Sequence, residues 1–319
     1  MFTPSPAQLE DIEAQRATPS PTLRGVSPAL EAALHTPIPV LDKGFVRVVD
    51  YMGGDEAVVQ GARVSYGKGT RHLSDSRGLI RYLMRHRHTT PFELADLKLH
   101  VRAPLFVTRQ WFRHRTASIN EYSARYSVLE REFYVPAPET VAAQSADNKQ
   151  GRGAVLDQAT ALRALDILKE DAARCYDNYL WMLNEDETGQ PLDPARSGIA
   201  RELARINLPV GIYTQFYWKA NLWNLLHFLK LRADPHAQYE IRAYAEVILD
   251  LVRKWVPITY EAFQDFAVES ASLSRQSLSL LRAALAAPEP VSAKAHGVSG
   301  REYRELLDLL PELESHLLP

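Results

Sequence analysis

Within the thirteen residues 113–125 the chain carries Arg113, His114, Arg115, Ser118, Asn120, Glu121, Ser123 and Arg125. Four of these side chains are cationic or become so on protonation, and two serine hydroxyls, an amide and a carboxylate accompany them. Guanidinium groups fork onto phosphate or carbonyl oxygens. Ser, Asn and Glu read the edge of a base or a cofactor ring through donors and acceptors. Apolar residues are few here, so packing does not explain the segment, and its inventory suits a phosphorylated, hydrogen-bonding ligand. Leu105-Phe106-Val107 and Trp111-Phe112 lead in and Tyr126 leads out. A polar stretch held between apolar anchors is expected to line a cleft.

Three other clusters are weaker. Arg85-His86-Arg87 repeats the basic triplet but ends a helix, where cations complement the dipole. His88, Thr90 and Glu93 lie past that helix beside Pro91 and escape this explanation. Arg201 and Arg205 are four apart on one helix face, which fits a surface ion-pair helix and a ligand site equally well. In Leu231-Arg232-Ala233-Asp234-Pro235-His236 a cation again ends a helix, so capping is the simple account. Zinc is not expected, because His86 and His88 are two apart and no cysteine cluster supports them. Cys175, the single cysteine, sits in a helical run and reads as a buried helix residue. No GxGxxG or Walker loop occurs, and Gly67-Lys68-Gly69 lacks the spacing, so a nucleotide or flavin site here is not of Rossmann type. Ser123 has no general base beside it in sequence, which favours binding over nucleophilic attack.

The elements that must position these residues belong to a chain of 319 residues, 46% apolar and 24% charged, with formal net charge −2. That balance fits a globular protein and argues against a general nucleic-acid binder, which would be basic overall. A local basic cluster in a neutral chain points to a small anionic ligand. One cysteine allows no internal disulfide and fits a reducing compartment. No run of about 18 apolar residues would span a membrane, and the N-terminus lacks a secretory pattern. A cytoplasmic protein is expected. Residues 1–40 form a Pro-rich arm with room for a short helix or two, 41–268 a continuous core, and 269–319 a helical extension closed by a helix at about 299–316. In the core, strands are expected at 45–50, 97–102 and 211–219. Helices are expected at 55–64, with Asp55 as its cap, and at 75–85, 105–112, 156–183, 221–231 and 237–254. Another helix is opened by Pro194 and closed by Pro209. Residues 137–153 read as a polar, mobile insert. The expected fold is α/β (α+β), a helix-rich single domain with a small sheet.

The pattern Arg113-His114-Arg115-x-x-Ser118-x-Asn120-Glu121-x-Ser123-x-Arg125 resembles, at every specified position, the signature of the flavin-dependent thymidylate synthases. Further blocks of that family resemble Leu41-Asp42-Lys43-Gly44-Phe45, Ala62-Arg63-Val64-Ser65-Tyr66 and His88-Thr89-Thr90-Pro91-Phe92-Glu93. Others resemble Arg109-Gln110-Trp111-Phe112, Ala204-Arg205 with Leu208-Pro209, and Leu231-Arg232-Ala233-Asp234 with His236-Ala237-Gln238. The resemblance spans about 41–267 and leaves out the arm, the insert near 142–153 and the tail. It implies methylation of dUMP to dTMP, with 5,10-methylenetetrahydrofolate giving the carbon and NADPH-reduced FAD the hydride. It also implies a largely antiparallel sheet and a homotetramer with sites shared between subunits, and neither a metal, a nucleic acid nor a membrane as partner. By matching position, Arg232 is the catalytic residue that favours the ionised uracil. Gln110, Trp111, Phe112, Arg113, Glu121, Tyr122, Ser123, Ala124, Arg125, Arg205 and Arg232 would hold dUMP, and Tyr126 would stack on a base. Ser65, Thr90, Arg113, His114, Arg115, Glu121, Asn221, Leu222, Trp223 and His227 would meet FAD, Thr90 and 221–223 from other subunits. His88 falls where the family has a histidine near the flavin and folate. Two readings compete: a nucleotide- or nucleic-acid-binding module without catalysis, and a flavoprotein of this fold with another substrate.

Overall fold

Alternating side chains and close-packed aromatic residues fix the sheet on which the site is built. The computed structural model describes residues 2–64, 76–145 and 151–319. These fall into two units, Met1–Phe263 and Gln264–Pro319. The first unit opens with helix α1 (Pro6–Ala17), started by a capping box between Ser5 and Gln8, and the short α2 (Pro28–Glu31). The arm is tied down. Leu30 is fully buried, and Ser27 Oγ donates to the Lys254 carbonyl at 2.7 Å.

Strands β1 (Ile38–Val40) and β2 (Gly44–Met52) lead to α3 (Asp55–Val64) and α4 (Ser76–Arg85). A 3₁₀ turn, Thr90–Leu94, precedes β3 (Asp96–Pro104), α5 (Leu105–Trp111) and β4 (Ser118–Glu121). A hairpin of β5 (Ala142–Gln144) and β6 (Arg152–Val155) follows, then α6 (Gln158–Leu183), α7 (Arg201–Ala204), β7 (Tyr213–Asn221), α8 (Leu222–Arg232), α9 (Tyr239–Trp255) and α10 (Pro257–Phe263). The main sheet has five strands in the order β1-β2-β3-β7-β4, with every neighbour antiparallel. Successive side chains point to opposite faces. One face carries the buried Val46, Val48, Leu97, Leu99, Val101, Phe216 and Trp218. The other carries Lys98, His100, Tyr217 and Lys219, with His100 stacked on Tyr217 at 4.8 Å. At the end of α5, the fully buried Trp111 meets Phe228 of α8, Trp218 of β7 and Tyr244 of α9 at ring-centre distances of 4.8, 5.5 and 5.9 Å. Gly44 is required by close approach, since a Cβ there would sit 1.9 Å from the Tyr244 hydroxyl.

Several sequence expectations are corrected. The helix expected between Pro194 and Pro209 is only α7 and a following turn, Arg205–Asn207. Asn184 Nδ2 donates to the carbonyls of Asp193 and Arg196 and holds an irregular loop where that helix was to begin. Asp55 caps α10 instead of its own helix, since its carboxylate accepts from the amides of Ile258 and Thr259, both at 2.9 Å. The described part of the 137–153 insert is a turn and a hairpin. Strand β4 was not foreseen. Asp75, expected to open α4, lies outside the described residues.

The second unit has its own core of Leu280, Ala284, Ala293, Val298, Leu306 and Leu317. It contains α11 (Arg275–Ala286) and α12 (Gly300–Leu309), the latter shorter than expected because Pro311 cannot continue it. Among the described residues no helix is long and apolar enough to cross a membrane.

Candidate active site

The signature segment is suspended between two firm points. Trp111 anchors its start in the core, and the Phe112 amide closes α5 on the Thr108 carbonyl at 2.8 Å. Strand β4 then pairs with β7, Ser118 opposite Lys219 and Glu121 opposite Phe216, while all four of its side chains are exposed. Tyr122 N donates to the Gln215 carbonyl at 2.8 Å, and a turn closes from Tyr126 N to the Ser123 carbonyl. Beyond the turn, Arg201 donates to the Tyr126 carbonyl at 2.9 Å and pairs with Glu185 at 2.6 Å. Arg102, almost wholly buried on β3, ties Glu130 and Glu132 at 2.6 and 2.7 Å. The main chain of β4 and the turn after it is thus held by neighbours.

The first half of the signature forms a cleft of about 310 Å³ with α8. Arg113, His114, Arg115 and Thr116 face Asn224, His227, Leu231 and Arg232, with Trp218 contributing from β7. Arg232 Nε donates to His114 Nε2 at 3.1 Å. An acceptor nitrogen carries no proton, so this bond makes His114 the Nδ1–H tautomer. Burial, with Arg232 and His227 nearby, pulls the His114 pKa down to about 4, so the ring is neutral at physiological pH. Burial also lowers Arg232, whose guanidinium remains charged. No carboxylate is among the described residues lining this cleft. Arg113 and Arg115, with no acid beside them among the described lining residues, suit a phosphate or pyrophosphate.

The second half lies outside this cleft. Glu121, Tyr122 and Arg125 are exposed, and Arg125 pairs with Glu202 at 3.2 Å. Ser123 is half-buried, and its Oγ accepts from Arg125 N at 3.3 Å. Desolvation raises the Glu121 carboxyl, against a hydrogen bond from Thr214 and the charges of Arg109 and Arg205. Gln110 is half-buried and donates to Gln238 Oε1. Phe112 packs edge-on against Phe216 at 5.2 Å. The side chains of Trp111, Ala124 and Leu222 are buried in the core, so only their main-chain atoms can face a ligand.

A third group surrounds the start of α8. Asn221 caps the helix by accepting from Asn224 N at 3.0 Å, and Trp223 packs on Phe92 of the turn that Thr90 begins, at 6.1 Å. His88 is exposed beside Tyr82, 5.7 Å between rings. Ser65 lies outside the described residues. One chain therefore gathers Arg113, His114, Arg115, His227 and Arg232 but leaves Thr90, Asn221, Trp223 and the Glu121–Arg125 group off that cleft. Sequence reasoning missed Thr116, Trp218, Asn224 and Leu231 in the wall. Asn224 carried a usable signal, standing one turn before His227 on the same helix face.

The family model described as "Thymidylate synthase complementing protein" (Thy1) matches residues 47–258. The chain belongs to this family. A flavin-dependent thymidylate synthase of Ruegeria pomeroyi is 58% identical over 306 residues, 96% of this chain and 98% of that relative. Another, of Rickettsia bellii, is 55% identical over 91% of this chain and 98% of the relative. Among solved structures, the UMP/dUMP methylase PolB from Streptomyces cacaoi bound with 5-Br UMP is 36% identical with a TM-score of 0.62. That match covers 72% of this chain and 98% of that one. The Thy1 match includes the whole signature and all of α8, so both walls of the cleft lie inside it.

Proposed function

We infer that this Thy1 chain is a flavin-dependent thymidylate synthase that methylates dUMP to dTMP, with 5,10-methylenetetrahydrofolate as carbon donor and NADPH as reductant. The observation that carries the reading is the cleft in which the signature's Arg113, His114 and Arg115 meet Arg232 with no acid among the described lining residues. Its donor set fits FAD: guanidinium groups for the pyrophosphate, and neutral His114 with His227 and Asn224 as hydrogen-bonding partners for a ring. Thr90, Asn221, Trp223 and the Leu222 main chain from neighbouring subunits complete that set, with Ser65 and Glu121. When bound, reduced FAD supplies the hydride, so no protein nucleophile is required. Cys175 is consistent with this, as it lies on α6 and does not line the cleft.

The chain's own residues bind and polarise. Arg125, Arg205 and the turn at Ser123 hold the phosphate, Gln110, Glu121 and Tyr122 hold the nucleoside, and Arg232 stabilises negative charge on the uracil. His114 fixes Arg232 by accepting its Nε–H, which leaves the terminal nitrogens for substrate. Such preorganised charge is the main lever on the rate. A homotetramer follows from the same reading, because the three residue groups need neighbouring copies to close one pocket. The expected setting is cytoplasmic.

Transfer of label from methylenetetrahydrofolate to dUMP tests the function. The purified protein should be yellow, and dUMP should accelerate oxidation of its NADPH-reduced flavin. A colourless protein that cannot be reconstituted with FAD would rule the enzyme out. A yellow protein that transfers no label would instead indicate another substrate. Sedimentation should give the mass of a tetramer.

A further inference from the structure

Glu240, in the first turn of α9, is 1% exposed. A buried carboxylate is costly unless its oxygens are paired, and here three parts of the chain supply partners. Arg152 of β6 donates to Oε1, the Tyr134 hydroxyl donates to the same oxygen at 3.1 Å, and Gln238 Nε2 donates to Oε2 at 2.9 Å. Arg152 is itself steadied, since its Nη1 donates to the Thr140 carbonyl at 3.2 Å and its guanidinium lies 5.6 Å over the Tyr239 ring.

An ionised carboxylate only accepts hydrogen bonds. Gln238 must therefore turn its NH₂ towards Glu240, which leaves its Oε1 towards Gln110, and Gln110 Nε2 donates to that oxygen. The orientation of Gln110 follows in turn, and its Oε1 has no partner among the described residues. One buried charge thus sets the direction of two amides. Arg152, the cation that balances this charge, lies in the insert hairpin, outside every signature block.

We propose that Arg152 is a positioning residue for the nucleotide: through Glu240 and Gln238 it holds Gln110 with Oε1 presented to a hydrogen-bond donor of dUMP. The proposal rests on the reading that Gln110 binds dUMP. It gives the insert a role in substrate recognition exerted through Glu240 and Gln238, which stand between Arg152 and Gln110.

The test uses holoenzyme variants Arg152→Met, Arg152→Lys, Gln238→Met, Gln110→Ala and the double variant R152M/Q238M. R152M should raise the KM for dUMP roughly tenfold, about 1.4 kcal/mol of lost binding. Its kcat, flavin content and KM for the folate should stay near wild type, and R152K should recover most of the loss. Q238M breaks the chain of bonds without unpairing the Arg152–Glu240 charges, so it remains informative if R152M fails to fold. Two links of one relay are not independent, so the double variant should be no worse than the poorer single one. Multiplying effects, an unchanged KM in R152M or Q238M, or a parallel loss of flavin would overturn the proposal. If Q110A raises the KM while R152M and Q238M do not, only the relay fails. If Q110A leaves it unchanged, the assignment of Gln110 to the substrate fails as well.

Discussion

At the scale of single residues, the pairing of Arg232 with His114 decides how the cleft behaves. In sequence Arg232 has the look of a helix-ending cation, and it does end α8. Only the fold reveals that its Nε is bound to a ring 118 positions away. Arg232→Ala should lower kcat by about 10²–10³ while flavin stays bound, as for loss of one preorganised charge-stabilising donor. Loss of the visible flavin spectrum would show that Arg232 belongs to the cofactor instead. His114 gives a pH prediction. Its pKa of about 4 in the folded chain is below the ordinary 6.5. The unfolded chain therefore binds more protons between these values, and stability falls as pH drops from 6.5 towards 4. His100, also near 4 through burial and Arg47, acts with the same sign. His114→Asn removes one of these titrations. Its denaturation midpoint should fall less between pH 7 and 5 than that of the wild type, and an equal fall would sink the idea.

At the scale of elements, what was legible in sequence depended on what holds each element. Strands β3 and β7 and helix α9 carry apolar residues at the spacing of a buried face, so their pattern exposed them. Strand β4 is held by main-chain pairing with β7 and has no buried side chain, so hydrophobic periodicity could not find it. The loop before α7 misled for a related reason. Pro194 and Pro209 are permissive punctuation, and the Asn184 bonds that rule out an early helix start reach across a loop to Asp193 and Arg196 and follow no helical or strand period. In sequence Arg102 merely ends the strand expected at 97–102, yet in the fold it clamps the segment that follows the signature. Arg102→Met should cost about 2 kcal/mol, less than the roughly 3–5 of a fully buried pair because Glu130 and Glu132 reach solvent. Chemical denaturation measures this, and an unchanged midpoint would show the clamp to be idle.

At the scale of the whole molecule, the residues proposed to meet one flavin fall into separate groups on a single chain. If neighbouring copies complete each site, two inactive variants should rescue one another. Arg232→Ala damages the cleft, and Thr90→Lys places bulk at an exposed position of the group near α8. Each should be inactive alone, and co-expressed mixed assemblies should regain activity. Mixed assemblies that form but stay inactive would mean that each chain builds its site alone. The signature was legible because its residues are close in sequence. Any completion of the site by neighbouring copies would leave no comparable mark in the order of residues, whereas the C-terminal unit, which begins at Gln264 with its own core, lies close to the extension expected from 269.

Strand β4 has a consequence for how this region can change over time. Because its side chains do no packing, each is free to be chosen for the ligand alone, and a substitution there is a local event. Its reading frame against β7 is another matter. Adding or deleting one residue between Thr116 and Glu121 would turn every following side chain to the opposite face. The pairing of this strand is therefore tolerant of new letters and intolerant of new length, whatever those letters do to the ligand.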